Sequence, residues 1–257
     1  MTNAFEQIIE NLRIKHEAFK ASNIMHPAEP LQYDCPLCED REIVLIEQED
    51  GSVSARNCQC KARKIQKRMF KASGLTEEQA LMTIDNYNVS LETKKMYQMT
   101  KDYLCGQSWR EGKGFALVGS VGVGKTMLAQ IIASAIMRDF KSVIFIPTTS
   151  LMAELLAAQF SNDKSEFEQR IERLINADVV IFDDVGKEKP TEWVQNQYFR
   201  IIDGRYNQRK TTGYTSNYEF GKLAERFSEF GDAIISRIIA MTRDYQVSVK
   251  AQDYRLR

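Results

Sequence analysis

Residues 119–126 read Gly119-Ser120-Val121-Gly122-Val123-Gly124-Lys125-Thr126, which is the phosphate-binding spacing Gly-x4-Gly-Lys-Thr. The apolar run Phe115 to Val118 precedes it and predicts a buried strand. Glycines are needed where backbone N–H groups close around phosphate oxygens, and a helix that begins at Lys125 points its positive N-terminus at the anion. We therefore expect a nucleotide site, with Lys125 at the β- and γ-phosphates and the Thr126 hydroxyl on Mg²⁺.

A second apolar run ends in two adjacent carboxylates, in the stretch Ala177-Asp178-Val179-Val180-Ile181-Phe182-Asp183-Asp184-Val185-Gly186. A buried parallel strand would place Asp183 at its carboxyl end, beside the Mg²⁺ ion. Asp184 lies one residue beyond, where it is expected to polarise a water for attack on the γ-phosphate. This is the Walker B pattern, and its occurrence together with residues 119–126 favours a nucleotide site over two unrelated strand ends.

Helical and strand patterns alternate from Leu91 onward, which is typical of a parallel sheet flanked by helices. The chain is therefore predicted to carry an α/β domain over residues 93–257. Strands are predicted at 115–118, 142–147, 179–183, 211–217 and 245–249. Helices are predicted at 125–140, from Thr148 or Thr149 as N-cap to about 160, at 166–176, at 191–209 and at 231–240.

Two polar residues of this domain have two interpretations each. Asn217 ends the strand predicted next to the Walker B strand and could hydrogen-bond the attacking water, although a strand-end Asn is also a common turn residue. Arg237 lies among apolar residues of a helix, where it either pairs with a neighbouring carboxylate or enters the nucleotide site of an adjacent subunit as an arginine finger. Twenty residues follow Arg237, so no helical lid is expected after the sheet.

The whole-chain composition is that of a folded protein without a global electrostatic field. Acidic and basic residues number 35 each among 257, and 43% of residues are hydrophobic. No apolar run reaches 18 residues, and the start has neither the basic flank nor the apolar centre of a signal peptide. We expect a cytoplasmic protein without membrane contact, in which cysteines stay reduced and paired cysteines indicate a metal site.

Four cysteines are spaced as in a zinc ribbon. Cys35 and Cys38 are separated from Cys58 and Cys60 by 19 residues that carry two short strand patterns around a turn at Glu49 to Ser52. A hairpin would bring the four thiolates together for tetrahedral Zn²⁺, although the second pair is Cys-x-Cys where Cys-x2-Cys is commoner. Cys105 stands alone and is expected to be a small buried residue.

Two amphipathic helices are predicted outside the α/β domain. Residues 3–21 carry an apolar stripe that either packs on its own small domain or docks a partner. Residues 61–71 hold six basic side chains in eleven, which form either a solvated face or a contact with DNA phosphates or an acidic partner. The polar stretch that follows is expected to be a linker, giving a zinc-binding domain over 1–72 and a linker over 73–92.

The motifs together resemble those of the DnaC/DnaI family of bacterial and phage replicative helicase loaders, which are AAA+ ATPases of the initiator type. The resemblance rests on the motifs GSVGVGKT, VVIFDDVG, TTGYTSN, GDAIISRI, the ending DYRLR and the N-terminal YDCPLC with NCQCKARK. It implies an AAA+ fold, ATP as the nucleotide, Asn217 as sensor 1, Arg237 as the arginine finger and Arg255 as the sensor 2 arginine. It also implies an N-terminal module that binds a hexameric DnaB-type helicase, and AAA+ domains that assemble through shared ATP sites and hold single-stranded DNA, partly with the helix at about 149–160.

The function expected from the resemblance is ATP-dependent loading of the helicase onto single-stranded DNA. One departure concerns Asp184, because Glu commonly follows the Mg²⁺ aspartate in AAA+ proteins; the shorter side chain predicts hydrolysis that is slow or that depends on DNA and a partner. Two alternatives remain open: an ATPase helper of DNA transposition of the IstB type, and a nucleotide-gated zinc-ribbon adaptor with negligible turnover. The cysteine pairs favour the loader over the transposition helper.

Overall fold

The computed structural model describes residues 33–48 and 52–253. The chain divides into two compact units, of which the first ends at Lys61 and the second begins at Ala62. The amphipathic helix predicted over residues 3–21 lies outside the described residues. In the part of the chain that is described, no helix is long and apolar enough to cross a membrane.

The first unit contains the predicted hairpin. Strands β1 (Ile43–Glu47) and β2 (Val53–Asn57) pair antiparallel, with Ile43 opposite Asn57 and Glu47 opposite Val53. Helix α1 (Gln59–Ser73) begins in this unit, directly after Cys58, and continues into the second. The hairpin therefore returns the chain so that both cysteine pairs meet at one end of it.

A parallel five-stranded sheet forms the second unit, in the order β4-β5-β6-β3-β7. Its strands are β3 (Phe115–Gly119), β4 (Val143–Pro147), β5 (Val179–Asp183), β6 (Thr211–Ser216) and β7 (Gln246–Val249). Its helices are α2 (Glu77–Leu81), α3 (Lys94–Cys105), α4 (Lys125–Arg138), α5 (Thr148–Gln159), α6 (Lys164–Asn176), α7 (Glu192–Asn207), α8 (Phe220–Arg226) and α9 (Gly231–Thr242). The predicted α/β class, a parallel sheet flanked by helices, is confirmed.

Two apolar cores explain why the three central strands are buried along their whole length. On one face, α4 contributes Leu128, Ile132 and Ile136, all fully buried. The other face is covered by α5, α6, α7 and α9, through side chains that include Leu155, Ile171, Tyr198, Ile202 and Ile234. Since β3, β5 and β6 are adjacent, their carboxyl ends bring residues 119, 183 and 216 to one edge of the sheet.

The segment 73–92 is ordered into helical turns where the sequence predicted a linker. Thr76 caps α2 and forms a capping box with Gln79, and a 3-10 turn follows at Ile84–Asn86. Leu75 and Tyr87 are buried in the core beside α4. Apolar burial by these two residues therefore holds a stretch whose polar composition favoured a loop.

Two smaller expectations are also corrected. Cys105, expected to be buried, is exposed, because it is the last residue of α3 and the helix turns it away from the sheet. Helix α5 has Pro147 as its N-cap, so Thr148 is already its first residue. The Thr148 hydroxyl is fully buried and donates to Glu188 Oε2 at 2.7 Å, which ties the start of α5 to the loop after β5.

Candidate nucleotide site and cysteine cluster

The loop between β3 and α4 has the backbone that a phosphate cradle requires. Gly122 and Gly124 adopt φ of 75° and 86°, in the left-handed region where a side chain is unfavourable. Gly119 also has a positive φ, of 126°, and a Cβ there would in addition lie 1.9 Å from the Val249 carbonyl oxygen on β7. Helix α4 begins at Lys125, as predicted, so the first N–H groups of a 14-residue helix face the loop.

Lys125 is buried and points along the loop. Its Nζ donates to the carbonyl oxygens of Gly119 at 3.0 Å and Ser120 at 2.6 Å. It also donates to Asn217 Oδ1 at 2.8 Å. The structure thus brings together two residues that the sequence separates by 92 positions, and it places a cation at the carboxyl edge of the sheet.

Asp183 is the acceptor for two hydroxyl groups. Thr126 Oγ1 donates to Asp183 Oδ1 at 2.9 Å, and Thr215 Oγ1 donates to the same oxygen at 2.6 Å. Burial raises the pKa of the Asp183 carboxyl above its usual value, while these two hydrogen bonds oppose the rise. A threonine hydroxyl and a carboxylate at this distance form the oxygen ligand pair that Mg²⁺ takes at nucleotide sites.

Thr215 was not identified from the sequence, although strand alternation gives a signal for it. It is fully buried and accepts a hydrogen bond from the Asp184 N–H at 2.8 Å while it donates to Asp183. Residues 215 and 217 are two apart, so period-2 alternation puts both on the same side of the chain. Thr215 therefore positions both Walker B aspartates through one hydroxyl.

Asp184 has an unusual backbone and a cationic neighbour. Its φ of 59° lies in the left-handed region, which aspartate tolerates better than most residues. Lys187 Nζ donates to Asp184 Oδ2 at 3.1 Å, and Asn217 Nδ2 approaches Oδ1 at 3.5 Å. Lys187 therefore occupies one oxygen of the carboxylate that the sequence predicts to activate water, and the role of Asp184 in catalysis stays a prediction.

Two cavities lie on either side of the loop. One of about 520 Å³ is lined by residues predicted for phosphate chemistry, namely Val121, Gly122, Gly124, Lys125, Thr126, Asp184 and Asn217, and also by Lys187, which was not predicted. The other, of about 310 Å³, is lined by Asn86, Tyr87, Asn88, Gly122, Val123, Met127, Ala251 and Gln252. Together they offer a polar space for a triphosphate and a separate, more apolar space that fits a base and sugar.

Tyr87 lines the second cavity and was missed in the sequence, where it stands in the predicted linker. Its hydroxyl donates to the Val123 carbonyl oxygen at 2.7 Å. Its ring also explains Gly124, because a Cβ there would lie 2.6 Å from the Tyr87 ring. No local motif marks this contact, since it joins residues 36 positions apart.

The C-terminal segment also reaches the loop. The Asp253 carboxylate lies against Gly122, where a Cβ would approach Asp253 Oδ1 to 1.8 Å. Ala251 N–H donates to Ser120 Oγ at 3.4 Å. Arg255, predicted as the sensor 2 residue, lies outside the described residues, two positions beyond Asp253.

Arg237 pairs within its own chain. Its Nε donates to Asp203 Oδ1 on α7 at 2.6 Å, and its guanidinium lies 4.9 Å from the centre of the Phe199 ring. Of the two alternatives for this residue, the structure displays the carboxylate pair; among the described residues, none of its hydrogen bonds reaches residues 119–126 of the same chain. The arginine-finger role stays a prediction.

The four cysteines of the first unit meet as a cluster of metal-ligand geometry. All four Sγ atoms lie within 4.8 Å of one another, with 3.7 Å between Cys35 and Cys58 and 3.3 Å between Cys38 and Cys60. Tetrahedral Zn²⁺ with bonds of about 2.3 Å would set these distances near ~3.8 Å. Burial raises the pKa of the Cys60 thiol, and its neighbouring thiols raise it further. Burial also acts to raise the pKa of Cys35, but hydrogen bonds from the Cys38 and Leu37 backbone and from neighbouring thiols lower it to about 7. The donors therefore fit zinc.

Comparison with known proteins identifies the family. The model of a family described as IstB-like ATP binding protein matches residues 38–257. The chain belongs to this family. Among the relatives of this chain, the replicative helicase loader DnaC of Buchnera aphidicola subsp. Baizongia pistaciae is 26% identical, over 72% of this chain and 75% of its own length. The Bacillus subtilis protein YqaM is 24% identical, over 98% of this chain and 94% of its own.

A solved structure is also similar to this chain, which allows the folds to be compared. The crystal structure of the DnaC helicase loader matches with a TM-score of 0.59 and 26% identity, covering 68% of this chain and 100% of that one. The fold is accordingly the AAA+ P-loop fold. The resemblance to DnaC/DnaI proteins drawn from the motifs is confirmed.

Proposed function

We propose that this protein is an ATPase that loads a hexameric replicative helicase onto single-stranded DNA. The observation that carries the proposal is the convergence of Lys125, Thr126, Asp183 and Asn217 at one edge of an AAA+ sheet. Membership of an ATP-binding family and similarity to replicative helicase loaders named DnaC support it. In this proposal, the helix α5 and the N-terminal cysteine unit bind DNA and helicase, respectively.

The geometry of the site supports the following proposed roles for its residues. Residues 119–126 bind the phosphates of ATP, and Lys125 neutralises the β- and γ-phosphates. Thr126 and Asp183 hold Mg²⁺, which supplies charge neutralisation at the transferred phosphate when bound. Asn217 and Asp184 orient the attacking water. Because Asp184 is paired with Lys187, we expect slow basal turnover that rises when DNA or helicase opens this pair.

A loading assay tests the function. The full-length chain, a hexameric replicative helicase and closed circular single-stranded DNA are mixed with ATP and Mg²⁺, and helicase bound to the circle is counted after gel filtration. We expect ATP-dependent retention that Lys125→Ala reduces at least tenfold. Lys101→Ala, an exposed lysine on α3, is the matched control and should behave as wild type. Retention that is equal without the protein would refute the proposal.

Two other functions make different predictions in the same experiment. A transposition helper, which the IstB-like family description favours, would not co-purify with the helicase. A nucleotide-gated adaptor, favoured by the Asp184–Lys187 pair, would load or hold helicase with a non-hydrolysable ATP analogue as well as with ATP. Phosphate release stimulated by single-stranded DNA and abolished by Lys125→Ala excludes the adaptor.

The arginine finger is proposed as the contact that completes a neighbour's site. Arg237 is partly exposed, with 28% of its side chain accessible, so a second copy can reach it. Neither Lys125→Ala nor Arg237→Ala protein alone should hydrolyse ATP at the wild-type rate. A mixture of the two should recover part of the activity, because at some interfaces the intact phosphate-binding loop of an Arg237→Ala subunit meets the intact Arg237 of a Lys125→Ala subunit. Absence of recovery at every mixing ratio would count against a shared site.

A further inference from the structure

We propose that the basic face of helix α1 is a second contact for single-stranded DNA, outside the nucleotide site and separate from α5. This inference rests on the proposed loading onto single-stranded DNA and names the surface that holds the strand. Residues 62–76 of the second unit contain five cations and no carboxylate: Arg63, Lys64, Lys67, Arg68 and Lys71. The chain as a whole is neutral, so this charge is segregated.

The five cations share one side of the helix. At about 100° per residue, they fall within an arc of about 140°. Arg63, Lys67 and Lys71 form an i, i+4, i+8 row of about 12 Å, with about 6 Å between neighbours along the helix axis, so the three cations can contact successive phosphates of one strand. All three are exposed, and no carboxylate pairs with Arg63, Lys67, Arg68 or Lys71 among residues 33–48 and 52–253. The row is therefore available to an anion.

The end of α1 is anchored, so the row has a fixed direction within the second unit. Ser73 is fully buried, and Gly74, with φ of 81°, packs so closely on β4 that a Cβ would lie 2.4 Å from the Phe145 carbonyl oxygen. Arg173 Nη2 of α6 donates to the Ala72 carbonyl oxygen at 3.1 Å. These contacts hold the last turn of α1 against the edge strand of the sheet.

The basic row leads into a cavity of about 390 Å³ at this edge. Its walls include Lys71, Arg173, Ser150 and Glu154, so the end of α1 and the outer side of α5 line the same space. Arg170 also lies there but is paired with Glu154 and Glu166, which leaves Arg173 as the cation that continues the row beyond Lys71. A strand bound along α1 would thus continue onto α5, the helix proposed for DNA.

Nucleic acid fits this surface better than an acidic protein does. Lysine is depleted in protein interfaces, whose centres are apolar and uncharged, whereas a basic stripe is the electrostatic footprint of a phosphate backbone. The one large apolar side chain exposed on α1 is Ile65, with 39% accessibility, which is too little for an interface core.

The inference is tested by measuring the affinity of the full-length chain for a labelled single-stranded oligonucleotide. The measurement is made with ATP and Mg²⁺ at a series of salt concentrations. The variant is Arg63→Gln/Lys67→Gln/Lys71→Gln. The control is Lys94→Gln/Lys95→Gln/Lys101→Gln, which removes the same charge from exposed positions of α3. With about 0.7 counterions released per phosphate contact, the variant should lose about 100-fold in affinity at ~0.1 M salt, and its log–log salt slope should fall by about 2.

The outcomes separate this inference from the proposed function. If DNA affinity and the salt slope both fall in the α1 variant but not in the α3 control, the contact is supported. Equal behaviour of the two variants overturns the inference and leaves the loading function intact. An α1 variant that keeps DNA affinity but loses co-purification with the helicase also overturns it, and identifies an acidic protein surface as the partner. A wild-type chain that binds no oligonucleotide at low salt overturns both.

Discussion

Thr215→Val removes the hydroxyl that connects the two Walker B aspartates while keeping the shape of the side chain. In the wild type, Thr215 Oγ1 donates to Asp183 Oδ1 at 2.6 Å and accepts from Asp184 N–H at 2.8 Å, at a fully buried position. The first bond involves a charged acceptor and is worth about 1.5–3 kcal/mol, and the second about 1 kcal/mol. We therefore expect unfolding free energy to fall by about 2–4 kcal/mol.

The effect on Mg²⁺ should exceed what destabilisation alone produces. A group that holds a metal ligand in place typically contributes tenfold to a hundredfold in metal affinity, and Thr215 is such a group for Asp183. Half-saturation by Mg²⁺ is measured by titration of ATP hydrolysis, or of Mg-dependent binding of a fluorescent ATP analogue. We expect it to rise by about tenfold to a hundredfold in Thr215→Val.

Thr212→Val is the matched control. It lies on the same strand, is also fully buried, and loses two comparable bonds, from Arg205 Nε at 2.9 Å and to the Lys210 carbonyl oxygen at 3.0 Å. It should lower stability by a similar amount without changing the Mg²⁺ requirement. If both variants keep wild-type half-saturation, Thr215 does not hold the Mg²⁺ ligand and the reasoning is wrong.

Three further perturbations test other parts of the structure. Tyr87→Phe leaves the Val123 carbonyl oxygen without its donor, which should weaken nucleotide binding about 2- to 10-fold in a calorimetric titration, whereas Tyr97→Phe, on the stacked neighbouring ring, should not. Cys35→Ser should lose the single zinc found by metal analysis, and the exposed Cys105→Ser should retain it; a metal-free wild type with a folded N-terminal unit would contradict the site. Hydrogen bonds from Arg110 and then Trp109 lower the pKa of Asp139 to about 2. The ionised carboxylate therefore stabilises the fold above the unfolded pKa of 3.8, and this contribution is lost as pH falls towards 2. The unfolding free energies of wild type and Asp139→Asn, measured by denaturation, should converge between pH 4 and 2, and a constant difference would refute the pairing.

The features that sequence predicted well are those whose physical requirement is local. Residues 119–126 must supply glycine backbone and a helix start within eight positions, and the structure has both. The strand that ends at Asp183 is a continuous apolar run, as a central parallel strand requires. The four cysteines were also predictable, because two short spacings and one hairpin are sufficient to bring them together.

The features that sequence missed depend on contacts between distant positions. Polar composition made residues 73–92 appear to be a linker, but Leu75 and Tyr87 are buried on α4 and near residue 123. The capping box at Thr76 and Gln79 is a local sequence signal for a helix, and it was evidence against a linker in this segment. Cys105 was assigned by the average behaviour of its residue type, which carries no information on the direction that a helix end faces.

Nucleotide binding and the segment before the core are linked by direct contact. Tyr87 holds the Val123 carbonyl, its ring lies against Gly124, and Asn86 to Thr93 contribute to the cavity beside the loop. A ligand that fills this cavity touches the segment and the loop together, so its binding free energy depends on the segment being in place. Coupling of this kind is reciprocal. If a perturbation moves residues 86–93 away from the loop and lowers nucleotide affinity by some factor, bound nucleotide makes that displacement less favourable by the same factor.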